Sequence, residues 1–126
     1  DRWEEQRILP EDAVLVAERD GEILGFSATW DGTSAYIDNL HVRSEARSQG
    51  VGRHLLAETA RHFLHLGRRE AYLHVVATNH RARALYIALG GSPAGIEDKN
   101  LYGTIVPNER IEWPDLARLL ERVEIG

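Results

Sequence analysis

The chain has 126 residues and a mass of 14.2 kDa, enough for one domain and not two. It contains no cysteine, which excludes a disulfide framework, thiolate zinc sites and a cysteine nucleophile, and no apolar run approaches the roughly 18 residues of a membrane span. Fifteen Lys+Arg against twenty Asp+Glu give −5, the wrong sign for gripping a phosphate backbone over a broad face, so a small molecule or a peptide is the expected partner and nucleic acid is not.

The start, Asp1-Arg2-Trp3-Glu4-Glu5, has neither a basic nor an apolar leader region, so a cytoplasmic location is expected. Trp3 to Ile8 reads as the end of a charged helix stopped by Pro10. Val14–Arg19 reads as a strand, Asp20-Gly21 as a two-residue hairpin turn, and Ile23–Trp30 as the return strand. A second turn at Asp31-Gly32 leads into a third strand, Ala35 to Val42. From Gly52 to Leu66 the period changes: Leu55, Leu56, Ala60, Phe63 and Leu64 share a helical stripe, and Gly67 closes the helix. Ala71–Ala77 reads as a short apolar strand. Thr78 or Asn79 caps a second helix whose Ala82, Leu85, Tyr86 and Leu89 share a face before Gly90-Gly91. Strand segments are expected near Ala94–Asp98 and Glu109–Trp113. Pro114 then opens a terminal helix with Leu116, Leu119, Leu120 and Val123 inward and Glu121 and Glu124 outward, suited to packing or to a homodimer contact. The order β-β-β-α-β-α-β-β-α predicts an α/β fold with helices on a mixed sheet.

Chemistry concentrates between Ile37 and Leu56, where a strand leads through Arg47-Ser48-Gln49-Gly50-Val51-Gly52-Arg53 into a helix. Two glycines at a helix start let a ligand approach the backbone. The free N–H groups of the first turn, at the positive end of the helix dipole, suit a diphosphate. Arg47 and Arg53 can add charge-assisted bonds. The segment is neither a P-loop, because Arg53-His54 follows Gly52, nor a dinucleotide fingerprint, because position 55 is Leu.

Leu40-x-Val42, Arg47-x-x-Gly50-x-Gly52 and the amphipathic helix after them resemble the acetyl-CoA signature of the GNAT superfamily of N-acetyltransferases. Asn79-x-x-Ala82-x-x-Leu85-Tyr86-x-x-x-Gly90 resembles the family's later motif, and the likeness runs from about Asp12 to the end. Ser44 stands where the family often has Pro, and Gly91 where it often has Phe. The resemblance implies a central mixed sheet whose parallel strands, Ala35–Val42 and Ala71–Ala77, splay apart near a bulge. It also implies acetyl-CoA as co-substrate, its pantetheine arm pairing with Leu40, His41 and Val42 and its pyrophosphate held by Ser48, Gln49, Gly50, Val51, Gly52 and Arg53. The Val42 N–H would polarise the thioester carbonyl, and Asn79 would cap its helix or bond the pantetheine.

Acetyl transfer to an amine needs a neutral nucleophile and a proton for the departing thiolate. Tyr86 matches the family's usual acid. For the base, Asp38 stands mid-strand, where burial would raise its pKa. His74, also mid-strand, titrates near neutrality without any shift. A water chain to bulk solvent is the third route. His62 and His65, with His54 two turns earlier, read as a solvated helix face and not as a metal site, since no carboxylate completes a ligand set.

The reading is an acetyl-CoA-dependent acyltransferase acting on a primary amine of a small molecule or peptide by direct attack in a ternary complex. Transfer to a protein N-terminus or lysine is the enzymatic rival; a non-catalytic acyl-CoA-binding regulatory module is the rival from another class. The chain has no methionine, and relatives begin with a strand and helix before the segment that opens at Asp1. Residues 1–126 are therefore expected to form a single acetyltransferase domain without its N-terminal strand and first helical region, leaving the sheet edge at Val14–Glu18 unpaired or covered by another chain.

Overall fold

A computed structural model describes residues 4–7, 13–46 and 50–125. Strand β1 (Glu4–Arg7) runs antiparallel to β2 (Ala13–Arg19), with Glu4 opposite Glu18 and Arg7 opposite Leu15. Two expectations are corrected here. The segment is a strand and not the end of a helix, and the edge at Val14–Glu18 is paired from within the chain. Four residues make about one helical turn, which is marginal alone, whereas β2 offers a row of backbone groups ready to pair.

The antiparallel run continues through β3 (Glu22–Trp30) and β4 (Ala35–Val42) as the sequence predicts. Asp20 and Gly21, at φ 53° and 80°, supply the left-handed turn whose twist matches its flanking strands. Between β3 and β4 the partners pass from Ala28–Asn39 to Thr29–Ile37, so Asp38 is the extra residue of a bulge. The bulge resets the alternation of β4. Ile37 is buried, but beyond it Leu40 and Val42 pack toward the core and His41 is exposed beside the Phe26 ring.

Helix α1 (Val51–His65) buries Leu55, Leu56, Ala60 and Phe63, the stripe read from the sequence. It ends as predicted at Gly67: the Gly67 N–H donates to the Leu64 carbonyl and the Arg68 N–H to that of Phe63, the five-to-two and six-to-one bonds, respectively, of a left-handed glycine cap. His62 is buried against Phe63 and not solvated as expected; His65 is exposed and His54 half-buried.

Strand β5 (Ala71–Val76) lies parallel to β4, and helix α2 (His80–Ala88) follows. The late strand signals become two ten-residue strands, β6 (Ser92–Leu101) and β7 (Thr104–Trp113), joined through Tyr102 and Gly103 at φ 53° and 85°. β7 inserts beside β5, giving the order β1-β2-β3-β4-β5-β7-β6. Helix α3 spans Ala117–Ile125, later than Pro114 implied. The Leu116 N–H donates to the Arg69 carbonyl and the Asp115 side chain accepts from the Ala117 N–H, which holds residues 114–116 outside the helix.

The helices pack on one side of the sheet around Leu55, Leu56, Phe63, Leu73, Ile111, Trp113, Leu116 and Leu119. Each such side chain, fully buried, contributes roughly 1.5–3 kcal/mol. The opposite side carries Trp30, Tyr36, Tyr72, His74 and Arg110, none fully buried, and no helix covers it among the described residues.

Candidate active site

β4 and β5 pair only at their start, Ala35 with Ala71, Tyr36 with Tyr72 and Ile37 with Leu73. β4 then runs on to Val42 and β5 to Val76 without meeting, so the expected splay is present and the bulge at Asp38 stands at its apex. The other edge of β5 is taken by β7 as far as Val76–Asn108. On β4 the Arg43 N–H donates to the Leu24 carbonyl at 2.8 Å. Successive N–H groups of a strand alternate, so that of Val42 faces the gap.

A cavity of about 590 Å³ fills the helix side of this gap, lined by Leu40, His41 and Val42 of β4, by residues 50–53, and by Asn79, Ala82, Leu85 and Tyr86 of the α2 region. Two glycines line it, and each suits its position for a different reason. Gly50 caps α1 at φ 81°, and a Cβ there would meet nothing within 4 Å, so backbone conformation alone demands glycine. At Gly52 a Cβ would stand 3.3 Å from Leu85 Cδ2, a tight contact that the leucine would have to relieve by a few tenths of an ångström where α1 approaches α2. The first N–H groups of α1 are left without helical partners beside the cavity, the arrangement a diphosphate needs. Arg53 lines the cavity, yet its Nη2 donates to the Arg122 carbonyl at 3.2 Å, tying α1 to α3. Arg47, Ser48 and Gln49 lie outside the described residues.

Tyr86 is buried, and burial pushes its hydroxyl up to about 12, so it is protonated at every ordinary pH. Its helix is pinned at several points. Asn79 Oδ1 accepts from the Ala82 N–H at 3.2 Å, the cap read from the sequence. Arg83 Nε donates to Glu109 Oε1 of β7 at 2.5 Å, and the Gly91 N–H donates to the Tyr86 carbonyl at 2.9 Å. Glu109 and Trp113 were not singled out in the sequence, although Glu109, Ile111 and Trp113 share one phase of the strand.

The two candidate bases sit elsewhere. Asp38 is exposed, because the bulge turns it out of the strand's alternation; the burial expected of it is not found. Its Oδ2 accepts from Trp30 Nε1 at 3.1 Å, and it does not line the cavity. Burial and then this carboxylate push the Tyr36 hydroxyl above its ordinary value. His74 is half-buried on the sheet side away from the helices, its ring 6.0 Å from both Tyr36 and Tyr72, which stack on each other at 4.9 Å. Among the described residues its buried Nδ1 has no hydrogen-bond partner. Burial, then Lys99 and Arg110, hold His74 below the usual histidine value against the opposing Glu97. The imidazole is therefore neutral at neutral pH.

A mixed sheet whose parallel pair opens beside a glycine-led helix start, with strand backbone free at the opening, defines the acetyltransferase class of fold. Residues 1–90 match the acetyltransferase (GNAT) family, and the chain belongs to that family. It is 32% identical over 100 residues, 79% of this chain and 66% of the relative, to a protein of Bacillus subtilis (strain 168) provisionally named ribosomal protein bS18-alanine N-acetyltransferase. The ribosomal-protein-S18-alanine N-acetyltransferase of Escherichia coli superposes with a TM-score of 0.72 at 25% identity, over 83% of this chain and 70% of that one. A provisionally named streptothricin acetyltransferase of Bacillus anthracis strain Ames, in complex with acetyl coenzyme A, shares the fold with a TM-score of 0.74 at 20% identity, over 83% and 64% of the two chains. The chain spans 66%, 37% and 56% of the length of three curated relatives it matches. Acetyl-CoA is the acyl donor of the family. No helix among the described residues is long and apolar enough to cross a membrane.

Proposed function

We propose that the chain transfers the acetyl group of acetyl-CoA to a primary amine of a small molecule or peptide by direct attack in a ternary complex. The observation that carries this reading is the opening of β4 from β5 beyond Ile37 and Leu73, with the Tyr86-lined cavity on its helix side. The cavity fits the donor on its own features: unpaired strand backbone at Leu40–Val42 for an amide-bearing arm, and a left-handed Gly50 before free helix N–H groups for phosphate. Bound acetyl-CoA supplies the activated acyl group.

The chain's residues then divide the remaining work. The Val42 N–H, turned into the gap, stabilises negative charge where a carbonyl oxygen would lie. Tyr86 Oη holds the proton that a departing thiolate needs, and its value of about 12 keeps that proton in place until the thiolate forms. His74 is the better base of the two: a neutral imidazole with an unpartnered Nδ1, against an exposed Asp38 engaged by Trp30. A water chain through the splay can carry the proton outward from it. The relatives named for the alanine of ribosomal protein bS18 favour a peptide amine as acceptor.

The test is thiol release from acetyl-CoA against a panel of small amines, lysine peptides and N-terminal peptides, with acetyl-CoA binding measured beside it. Turnover with any amine supports the transferase. Tight acetyl-CoA binding with no turnover across the panel identifies a binding module instead.

A further inference from the structure

The sheet side opposite the cavity carries a preassembled group of charges at the mouth of the splay. Arg110 stands directly opposite His74 in the β5–β7 ladder, so the two side chains leave the same face from neighbouring backbones. Its guanidinium carbon lies 3.9 Å from the centre of the Tyr72 ring, and its Nε donates to Glu112 Oε2 at 2.6 Å. Stacking and the Nε bond together fix the plane of the fork, and among the described residues no protein acceptor engages its two Nη groups. A planar fork already held in place has little entropy left to lose on taking a carboxylate in two parallel bonds. Lys99 adds a second positive charge near His74, with Glu97 opposing it, and Asp38 lies across the splay beside Tyr36.

We propose that Arg110 is the anchor for a carboxylate on the acceptor, so that the amine this site accepts carries a carboxylate within a few bonds of its nitrogen. The inference rests on the reading of the splay as the place where amine and acyl group meet. An ammonium approaching from the open side meets the exposed Asp38 carboxylate as an attractive group, while its carboxylate is drawn to the Arg110 fork. That orientation leaves the nitrogen at His74 and the carboxylate away from the splay. The carboxylate can belong to a free amino acid or to an acidic residue next to a peptide N-terminus.

The experiment compares matched acceptors on the full chain: β-alanine against β-alaninamide for the free amino acid, and Ala-Asp-amide against Ala-Asn-amide for the peptide. In at least one pair the wild type should favour the carboxylate by about tenfold or more in kcat/KM, carried mainly by KM, and the favoured pair identifies the source. In Arg110→Gln, whose folding is checked by its melting curve, that ratio should collapse toward one, and Arg110→Lys should recover only part of it. Equal use of both members of each pair by the wild type, or a ratio untouched by Arg110→Gln, overturns the anchor and leaves the transferase reading standing. Titration of β-alanine and Ala-Asp-amide into the chain with CoA present separates the remaining cases. Arg110-dependent binding without turnover keeps the anchor and removes the transferase; no binding and no turnover removes both.

Discussion

The rings of Tyr86 and Trp113 meet edge to face, 6.2 Å between centroids at 83°, and the indole Nε1 of Trp113 donates to the Leu89 carbonyl at 3.1 Å. One β7 side chain thus packs against the phenol that lines the cavity and closes the helix that carries it. Gly91 makes room for this. A Cβ there would stand 2.5 Å from Ile111 Cγ2, 2.9 Å from the Tyr86 carbonyl and 3.0 Å from Trp113 Cζ2.

Gly91→Ala should therefore cost about 1–3 kcal/mol by overpacking, read as a drop of several degrees in melting temperature. Gly67→Ala tests a different cause, since its Cβ meets nothing within 4 Å and only its φ of 87° is violated; about 1 kcal/mol is expected. An undiminished melting temperature in Gly91→Ala contradicts the tight packing of α2 on β7.

Tyr86→Phe keeps the ring, its contact with Trp113 and its burial, and removes only the hydroxyl. Thiol release should fall by about 10²-fold or more, while the dissociation constant for acetyl-CoA stays within about threefold. A variant that turns over like the wild type moves the acid role to another group.

The pH dependence follows from two shifts. His74 lies below its usual value, so kcat/KM should rise with pH through a midpoint below the ordinary histidine value and then level off. Tyr86 at about 12 contributes no alkaline decline below about pH 11. His74→Gln should remove the acidic limb. If that limb survives the substitution, the base is Asp38 or water. The same shift carries a stability sign: the folded chain binds the His74 proton less well than the unfolded one, so its contribution is present above the ordinary value and lost as pH falls through the lowered one.

Gly50 and Gly52 should separate into strain and steric effects. Gly50→Ala violates φ 81° in open space, costing about 1 kcal/mol, and should weaken acetyl-CoA binding by displacing the first N–H groups of α1. Gly52→Ala sets a Cβ against Leu85, and the simultaneous Leu85→Ala change should restore much of the lost affinity. Isothermal titration with acetyl-CoA measures both, and failure of the second change to rescue argues against close approach as the reason for Gly52.

Periodicity and turn chemistry were local enough to be legible in the sequence. The stripe from Leu55 to Phe63, the turn at Asp20-Gly21, the glycine cap at Gly67 and the Asn79 cap are each decided by residues within a few positions of one another. The family motifs at 40–52 and 79–90 located the cavity lining for the same reason. Tertiary structure decided what depends on partners far away in the chain. The free edge of β2 turned Glu4–Arg7 into a strand, and the bulge opposite Ala28 and Thr29 carried Asp38 into solvent. Register with β7 set Arg110 opposite His74 and Glu109 within reach of Arg83. Backbone preferences act over a few bonds, whereas pairing register and side-chain burial are fixed only when distant segments meet. The tyrosine proposed as acid was therefore visible in the sequence, and the surroundings that set its protonation and that of the proposed base were not.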